Sequence, residues 1–286
     1  MNNPLSYSSV KLDLFSKDGV RLKPVSGFVV ETGSNYYLIT NWHVLSGRDI
    51  SVRAVHDPVI EPYVLKTSLH LYTGRGEKNS LFSRGMWNRI TIQLYDDNGA
   101  PRWIAGQTNQ EHQPLADVVA LPIQWELTFA SRLSRDVQVR KSGLDNIPGL
   151  LSSWARDLTE SPLWGKICAI PASAIDTDVK YGPPDTVYIV GHPRGWMPAG
   201  PEKSSAAFWR MSSIASEPNE PGMIHESGFF VDPCAPEGMT GSPVVGMKND
   251  GIKLLGVYSD CSTAEFGANA GLVWDARLVK ELIGRS

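Results

Sequence analysis

The sequence predicts an all-β protein that ends in one α-helix. Short runs of β-branched and aromatic residues recur along the chain, and turns rich in glycine and proline separate them. Many short strands of this kind are typical of two barrels or two packed sheets. The clearest helical spacing lies at residues 275–283, where apolar residues follow an aspartate that is suited to cap the helix.

The predicted elements of the first half are mostly strands. A short helix is predicted over residues 5–16 from loose helical spacing of the apolar residues. Turn signals at 32–35 (Thr-Gly-Ser-Asn) and 96–99 (Asp-Asp-Asn-Gly) predict two hairpins. The predicted strands cover residues 19–23, 26–31, 36–40, 63–66, 69–72, 90–95, 102–104 and 116–123.

The second half begins after a segment of different composition. Residues 131–165 include a charged stretch, carry prolines at 148 and 162, and are predicted to be a crossover between two halves of one domain. Strand patterns then resume, and the last of them leads into the C-terminal helix. These predicted strands cover residues 186–190, 207–215, 228–232, 244–246, 254–259 and 272–274.

Composition narrows the class of protein. A chain of 286 residues with 42% hydrophobic and 20% charged residues fits a soluble globular protein with a sizeable core. A net charge of -3 without a cluster of Lys and Arg argues against a nucleic-acid partner. No uncharged apolar run is long enough to cross a bilayer, so no membrane partner is expected. The oligomeric state stays open.

Cysteine usage and the N-terminus bear on the compartment. The sequence has only three cysteines, Cys168, Cys234 and Cys261, and such a small, odd number does not indicate a disulfide framework. One bridge is compatible with the sequence, but three free thiols in a reducing compartment are favoured. Residues 1–7 lack the basic and apolar regions of a signal peptide, so a cytoplasmic location is predicted.

Three separated stretches carry residues suited to nucleophilic catalysis. His43 follows an apolar strand, Asp117 begins another, and Thr240 lies in the glycine turn Gly238-Met239-Thr240-Gly241-Ser242-Pro243. A hydroxyl nucleophile needs a base to take its proton and an acid to orient that base. Histidine, aspartate and then a hydroxyl residue is the chain order of one known type of catalytic triad.

These stretches resemble the motifs of trypsin-like serine peptidases, and most closely those of compact bacterial members. Leu38-Ile39-Thr40-Asn41-Trp42-His43-Val44 is similar to the histidine motif, and residues 116–121 are similar to the aspartate motif. The resemblance implies a chymotrypsin-like fold, with two antiparallel β-barrels and a C-terminal α-helix in a single domain over residues 1–286. Its parts would be barrel one at about 18–130, the crossover at 131–165, barrel two at about 166–274 and the helix at 275–284.

The resemblance also implies roles for individual residues. His43 would be the general base, Asp117 its orienting acid, and Thr240 would stand where the nucleophilic serine belongs. The backbone N–H groups of Gly238 and Thr240 would form the oxyanion hole, because glycine permits close backbone approach.

The implied substrate is a peptide or protein, and no cofactor or metal is expected. Cys234 would lie near the base of the primary specificity pocket, with Ser259 on its wall. Because a cysteine carries no charge there, a small or apolar substrate side chain is expected in preference to Lys or Arg.

Thr240 departs from the family pattern, and three interpretations stay open. The extra methyl group of threonine restricts χ1 and occupies space beside the attacking oxygen. The chain would then be a slow endopeptidase that acts through an acyl-enzyme, or an inactive pseudoprotease that binds peptides or proteins. In the third interpretation Ser242 replaces Thr240 as nucleophile, although Pro243 restricts the chain at that position.

Overall fold

A computed structural model describes ten stretches of the chain. They are residues 5–48, 61–71, 86–106, 116–123, 167–175, 180–195, 206–218, 227–248, 251–262 and 269–285. The predicted crossover at 131–165 lies outside these residues. Within them, no helix is both long enough and apolar enough to cross a membrane.

An eight-stranded sheet occupies the N-terminal half and includes one short strand from further along the chain. Seven strands follow the order β5-β4-β1-β2-β3-β7-β6, and β8 pairs in parallel with β2. The strands are β1 (Ser9–Ser16), β2 (Val25–Thr32), β3 (Asn35–Thr40), β4 (Pro62–Leu71), β5 (Met86–Gln93), β6 (Ile104–Ala105), β7 (Val119–Ile123) and β8 (Ile170–Pro171). A short 3-10 helix, Ala172–Ala174, follows β8.

A closed six-stranded antiparallel barrel occupies the C-terminal half. The order of its strands is β10-β11-β14-β13-β12-β9, and the ring is completed by pairing of β9 with β10. The strands are β9 (Thr186–Gly191), β10 (Phe208–Ile214), β11 (Gly228–Asp232), β12 (Pro243–Lys248), β13 (Gly251–Ser262) and β14 (Ala270–Asp275). The predicted all-β class with two barrel-like halves is confirmed, with the first half forming a half-barrel.

Three α-helices complete the described chain: α1 (Leu5–Ser8), α2 (Trp42–Ser46) and α3 (Ala276–Gly284). The predicted C-terminal helix is α3, and Asp275 caps it by accepting a 2.7 Å hydrogen bond from Arg277 N. Apolar side chains of α3 pack against β7 of the sheet and against β13 and β14 of the barrel. The helix therefore ties the two halves together.

One apolar core lies between the sheet and the barrel. Phe28 and Ile39 of the sheet, Val190 and Val257 of the barrel, and Val279 of α3 are fully buried in it. Burial of apolar surface stabilises at roughly 25 cal/mol per Å². This shared core holds the two halves in a fixed arrangement, and residues at their border can form one site.

The N-terminal segment differs from the predicted helix over 5–16. Helix α1 ends at Ser8, and residues 9–16 form β1 between β2 and β4. The period is two in this stretch: Val10, Leu12 and Leu14 are buried, while the residues between them are partly exposed. The predicted strand at 19–23 is also wrong, since it contributes only an isolated bridge from Arg21 to Phe15.

The second predicted hairpin is correct at its turn and wrong in its partner strand. Asp96 closes the turn, because its N–H donates to Ala100 O (2.9 Å) and its carboxylate accepts from Asn98 N (2.9 Å). Residues 104–105, however, pair with β7 instead of returning along β5. Only Tyr95 and Pro101 form a bridge across the turn.

Two buried histidines make the stability of the fold depend on pH. Burial lowers the pKa of both His70 and His192 from 6.5 to about 4. As the pH falls, these two histidines therefore bind protons in the unfolded chain before they bind them in the folded chain. The free energy of unfolding should consequently fall as the pH drops from about 6.5 to about 4. The expected slope is about 1.4 kcal/mol per pH unit for each histidine.

Denaturant unfolding at several pH values measures this loss. The control is the double variant His70→Gln/His192→Gln, because glutamine cannot take up a proton in this range. Its free energy of unfolding should change less between pH 6.5 and 4 than that of the natural chain. If the free energy of unfolding depends on pH equally in the two proteins, His70 and His192 are not the cause of this dependence.

Candidate active site

His43 lies on a single helical turn at the end of a buried strand. Strand β3 ends at Thr40, and α2 carries His43 one residue after its start. Trp42 and Val44 on either side are buried in the core of the sheet, which anchors the turn. Gly47 ends it in the left-handed conformation (φ 70°) and donates to His43 O (2.9 Å).

Asp117 lies beside His43 because their two strands are paired. Thr40 of β3 is opposite Val119 of β7, so the residues beyond Thr40 and before Val119 meet at the same end of the sheet. Asn41 fixes this junction, since its Nδ2 donates to Asp117 O (2.7 Å). The local fold thus brings together two of the predicted site residues.

The Asp117 carboxylate accepts three hydrogen bonds. Oδ2 accepts one from the His43 ring at Nδ1 (2.7 Å) and Oδ1 accepts one from His43 N (2.9 Å). The third comes from Ser259 Oγ to Oδ2 (2.9 Å). Asp117 is buried, whereas one third of the His43 side chain is exposed. The carboxylate is therefore shielded and the imidazole is accessible.

This arrangement selects one tautomer of the imidazole. A carboxylate accepts hydrogen bonds, so the contact with Asp117 places the proton on Nδ1 of His43. The other ring nitrogen, Nε2, is then an acceptor. An oriented imidazole with an acceptor nitrogen and an adjacent buried carboxylate can take up a proton as a general base.

Ser259 contacts Asp117 directly, and this contact was not predicted from the sequence. It was expected on the wall of a specificity pocket, and in the structure its hydroxyl donates to Asp117. Ser259 follows Tyr258 on β13, and Tyr258 N donates to Ser242 O (2.9 Å). Strand β13 thus connects the acid to the turn that carries Thr240.

The Thr240 turn has a backbone that only glycine adopts readily. Gly238 has φ 95° and Gly241 has φ 85°, both in the left-handed region. A Cβ on Gly241 would collide with Ser26 O and with the Thr40 hydroxyl of the sheet. Met239 between them is fully buried in the barrel core, which anchors the turn from the other side.

Ser26 of β2 holds this turn against the sheet. Its N–H donates to Thr240 O (2.9 Å), and its hydroxyl donates to Gly238 O (2.9 Å). The same hydroxyl accepts a hydrogen bond from His192 N (2.9 Å). Sequence reasoning missed Ser26, because its partners lie about 200 positions away and nothing in its surroundings indicates them.

The predicted oxyanion hole consists of two backbone N–H groups. Among the described residues, neither Gly238 N nor Thr240 N donates a hydrogen bond to the chain. Within that same part of the chain, no hydrogen bond joins the Thr240 hydroxyl to the His43 ring. Unpaired N–H groups at a turn are suited to bind a negatively charged oxygen.

Ser242 lies in a different environment from Thr240. Its side chain is fully buried, and its hydroxyl has no hydrogen-bond partner in the described residues. A Cβ on Gly191 would overlap this hydroxyl, so Ser242 packs against the backbone of β9. Thr240 is partly exposed. A substrate carbonyl can therefore approach Thr240 more readily than Ser242.

Cys234 and Cys261 form a disulfide, so the interpretation of three free thiols is wrong for these two. Their Cα atoms are 5.6 Å apart, because the segment before the Thr240 turn runs beside the end of β13. Sequence spacing contains no sign of this proximity. Cys168 is buried and takes no part in this disulfide.

Comparison with known proteins finds likeness in structure alone. No protein-family model matches the chain, and no curated protein matches it. The scabies mite inactivated protease paralogue S-I1 is similar with a TM-score of 0.48 at 10% identity, over 99% of each chain. A variant of the HtrA-type protease AlgW, solved with a tripeptide, has a TM-score of 0.46 at 12% identity. That match covers 98% of this chain and 60% of the other.

Proposed function

We propose that the protein is an endopeptidase whose catalytic residues are His43, Asp117 and Thr240. The observation that carries the proposal is the oriented pair, in which Nδ1 of the His43 ring lies 2.7 Å from the buried Asp117 carboxylate. Ser259 supports the same carboxylate, and the Thr240 turn is bonded to the strand that carries Ser259. These contacts support the proposal that the base, the acid and the hydroxyl turn form one site at the border between sheet and barrel.

The first half of the reaction would form an acyl-enzyme. Thr240 Oγ1 attacks the scissile carbonyl carbon as its proton passes to Nε2 of His43. Asp117 stabilises the resulting imidazolium, and the N–H groups of Gly238 and Thr240 bind the oxyanion. The C–N bond then breaks, and His43 returns the proton to the leaving amine. An ester to Thr240 remains.

The second half would release the acid product by hydrolysis. His43 removes a proton from a water molecule as the water oxygen attacks the ester carbon. The bond to Thr240 Oγ1 breaks, and His43 returns the proton to that oxygen. The products are an amine and a carboxylic acid, and the enzyme regains its starting protonation state.

Thr240 is also the observation that favours a second candidate, a peptide-binding module without turnover. Its γ-methyl group must avoid the turn backbone while the hydroxyl reaches His43. An off-rotamer side chain costs about 1 kcal/mol, and such a cost in the transition state lowers the rate about fivefold. The endopeptidase that we propose is therefore a slow enzyme.

The change Thr240→Ser tests the proposal, because it keeps the hydroxyl and removes the methyl group. We expect an increase of about fivefold or more in kcat/KM for peptide hydrolysis. The matched control is Ser242→Ala, which removes the other hydroxyl of the turn and should keep the activity. If Thr240→Ser gains no activity, or Ser242→Ala abolishes it, Thr240 is not the nucleophile.

A further inference from the structure

The loop that follows β9 packs against the predicted oxyanion hole. A Cβ built on Gly238 would lie 2.6 Å from Arg194 N and 2.9 Å from His192 O, so the two backbones are in direct contact. Arg194 N also donates a 2.7 Å hydrogen bond to Glu237 O. Residues 192–195, which we call the Arg194 loop, therefore support the peptide unit that joins Glu237 to Gly238.

This hydrogen bond fixes the direction of the Gly238 N–H group. The peptide unit between Glu237 and Gly238 is trans, so its carbonyl and N–H groups point in opposite directions. Because Glu237 O points to Arg194 N, the N–H group of the same unit points away from the Arg194 loop. Rotation of the unit by half a turn would break the bond and direct the N–H group toward the loop. Only one of these two orientations presents the donor outward.

Three charged side chains reinforce the contact. Nη1 of Arg194 donates to both carboxylate oxygens of Glu237, at 2.8 and 2.9 Å. Nζ of Lys23, which lies just before β2 of the sheet, is 3.4 Å from Oε1 of the same carboxylate. Arg194 and Glu237 are thus joined twice, once through the backbone and once through their side chains. All three side chains are more than half exposed, so each ion pair contributes little alone and the contribution comes from the network.

We propose that Arg194 and Glu237 are positioning residues for the Gly238 N–H group, an inference that rests on the proposed function. Their ion pair holds the Arg194 loop against the turn, and the loop keeps the peptide unit between 237 and 238 in the orientation that presents this N–H group to the oxyanion. Breaking the pair lets the unit rotate in a fraction of the molecules, which then lack one donor. Because the oxyanion forms only in the transition state, the pair acts on kcat and leaves KM almost unchanged.

The changes Glu237→Gln and Arg194→Gln test this role. Each should lower kcat for peptide hydrolysis about two- to fivefold, the range expected for an exposed ion pair, with KM almost unchanged. The double variant should lose no more than the single variants, because both residues act through one pair. The matched control is Glu281→Gln, which removes the exposed Glu281–Arg285 pair of α3 and should keep kcat. An unchanged kcat, a rise in KM that accounts for the loss, or losses that multiply in the double variant would overturn the inference.

A binding measurement separates the inference from the proposed function. A Thr240→Ala protein keeps both turn N–H groups, and calorimetry should show that it binds a peptide with a C-terminal carboxylate more tightly than the same peptide as an amide. Adding Glu237→Gln should weaken binding of the peptide acid about two- to fivefold and leave binding of the amide unchanged. The direct electrostatic effect of this change has the opposite sign, because a negative charge is removed beside the site.

The outcomes of the two experiments are distinct. Weaker binding of the peptide acid in the Glu237→Gln protein, without any cleavage by the natural chain, would refute the proposed function and retain the inference. Binding of the acid that is equal or tighter in the Glu237→Gln protein would overturn the inference, as would equal binding of acid and amide by the Thr240→Ala protein.

Discussion

Replacing His43 by alanine is expected to lower kcat/KM for peptide hydrolysis by at least about 10⁴-fold, because the nucleophile then has no base. The imidazole is one third exposed and is held by Asp117 rather than by the core, so the change should leave the fold intact. Steady-state hydrolysis of a peptide measures the loss, and thermal unfolding checks that the variant is folded.

A matched change at a different histidine controls for loss of an imidazole. His70 of β4 is buried among Tyr7 and Trp87, with ring centroids at 4.3 and 5.0 Å, and contacts Cys168 Sγ (3.1 Å). It makes no contact with Asp117 in the described structure. His70→Gln should therefore keep most of the activity. Comparable losses in the two variants would indicate a structural effect and contradict the role of His43.

Replacing Asp117 by asparagine is expected to lower kcat/KM by roughly 10⁴-fold. An amide NH2 next to Nδ1 of His43 would donate instead of accept, which favours the tautomer with the proton on Nε2. That nitrogen could then no longer take the proton of Thr240. Two further donors, His43 N and the Ser259 hydroxyl, would also lose a carboxylate acceptor.

The control for Asp117→Asn is the same change at an exposed aspartate. Asp97 lies exposed in the turn after β5, far along the chain from the Thr240 turn. Asp97→Asn should leave both activity and stability close to those of the natural chain, since surface substitutions usually change stability by less than about 0.5 kcal/mol. An active Asp117→Asn protein would show that the orientation of His43 does not depend on this carboxylate.

Local sequence patterns predicted the elements whose structure is decided locally. The aromatic and β-branched run of β11 and the Asp275 cap of α3 require only neighbouring residues, and both elements form where they were expected. Residues 9–16 were included in the helix predicted over 5–16, because the apolar residues of that stretch have loose helical spacing. Pairing with β2 and β4 on both sides decides its structure, and these strands lie elsewhere in the sequence.

The parts of the site that lie in short local motifs could be predicted from the sequence. The positions of His43 and Asp117 follow from the ends of two paired strands, and the glycine turn around Thr240 is a local feature. The contacts of Ser26 and the Cys234–Cys261 disulfide depend on how the sheet and the barrel pack. Such long-range proximity leaves no mark in the sequence of a single chain.

The most direct measurement of the central claim is to locate the adduct of a fluorophosphonate probe by mass spectrometry. Such a probe modifies an activated hydroxyl nucleophile. We predict an adduct on Thr240 in the natural chain, a faster reaction in Thr240→Ser, and no adduct in folded His43→Ala. An adduct on Ser242, or labelling of Thr240 that persists without His43, would contradict a Thr240 nucleophile activated by His43.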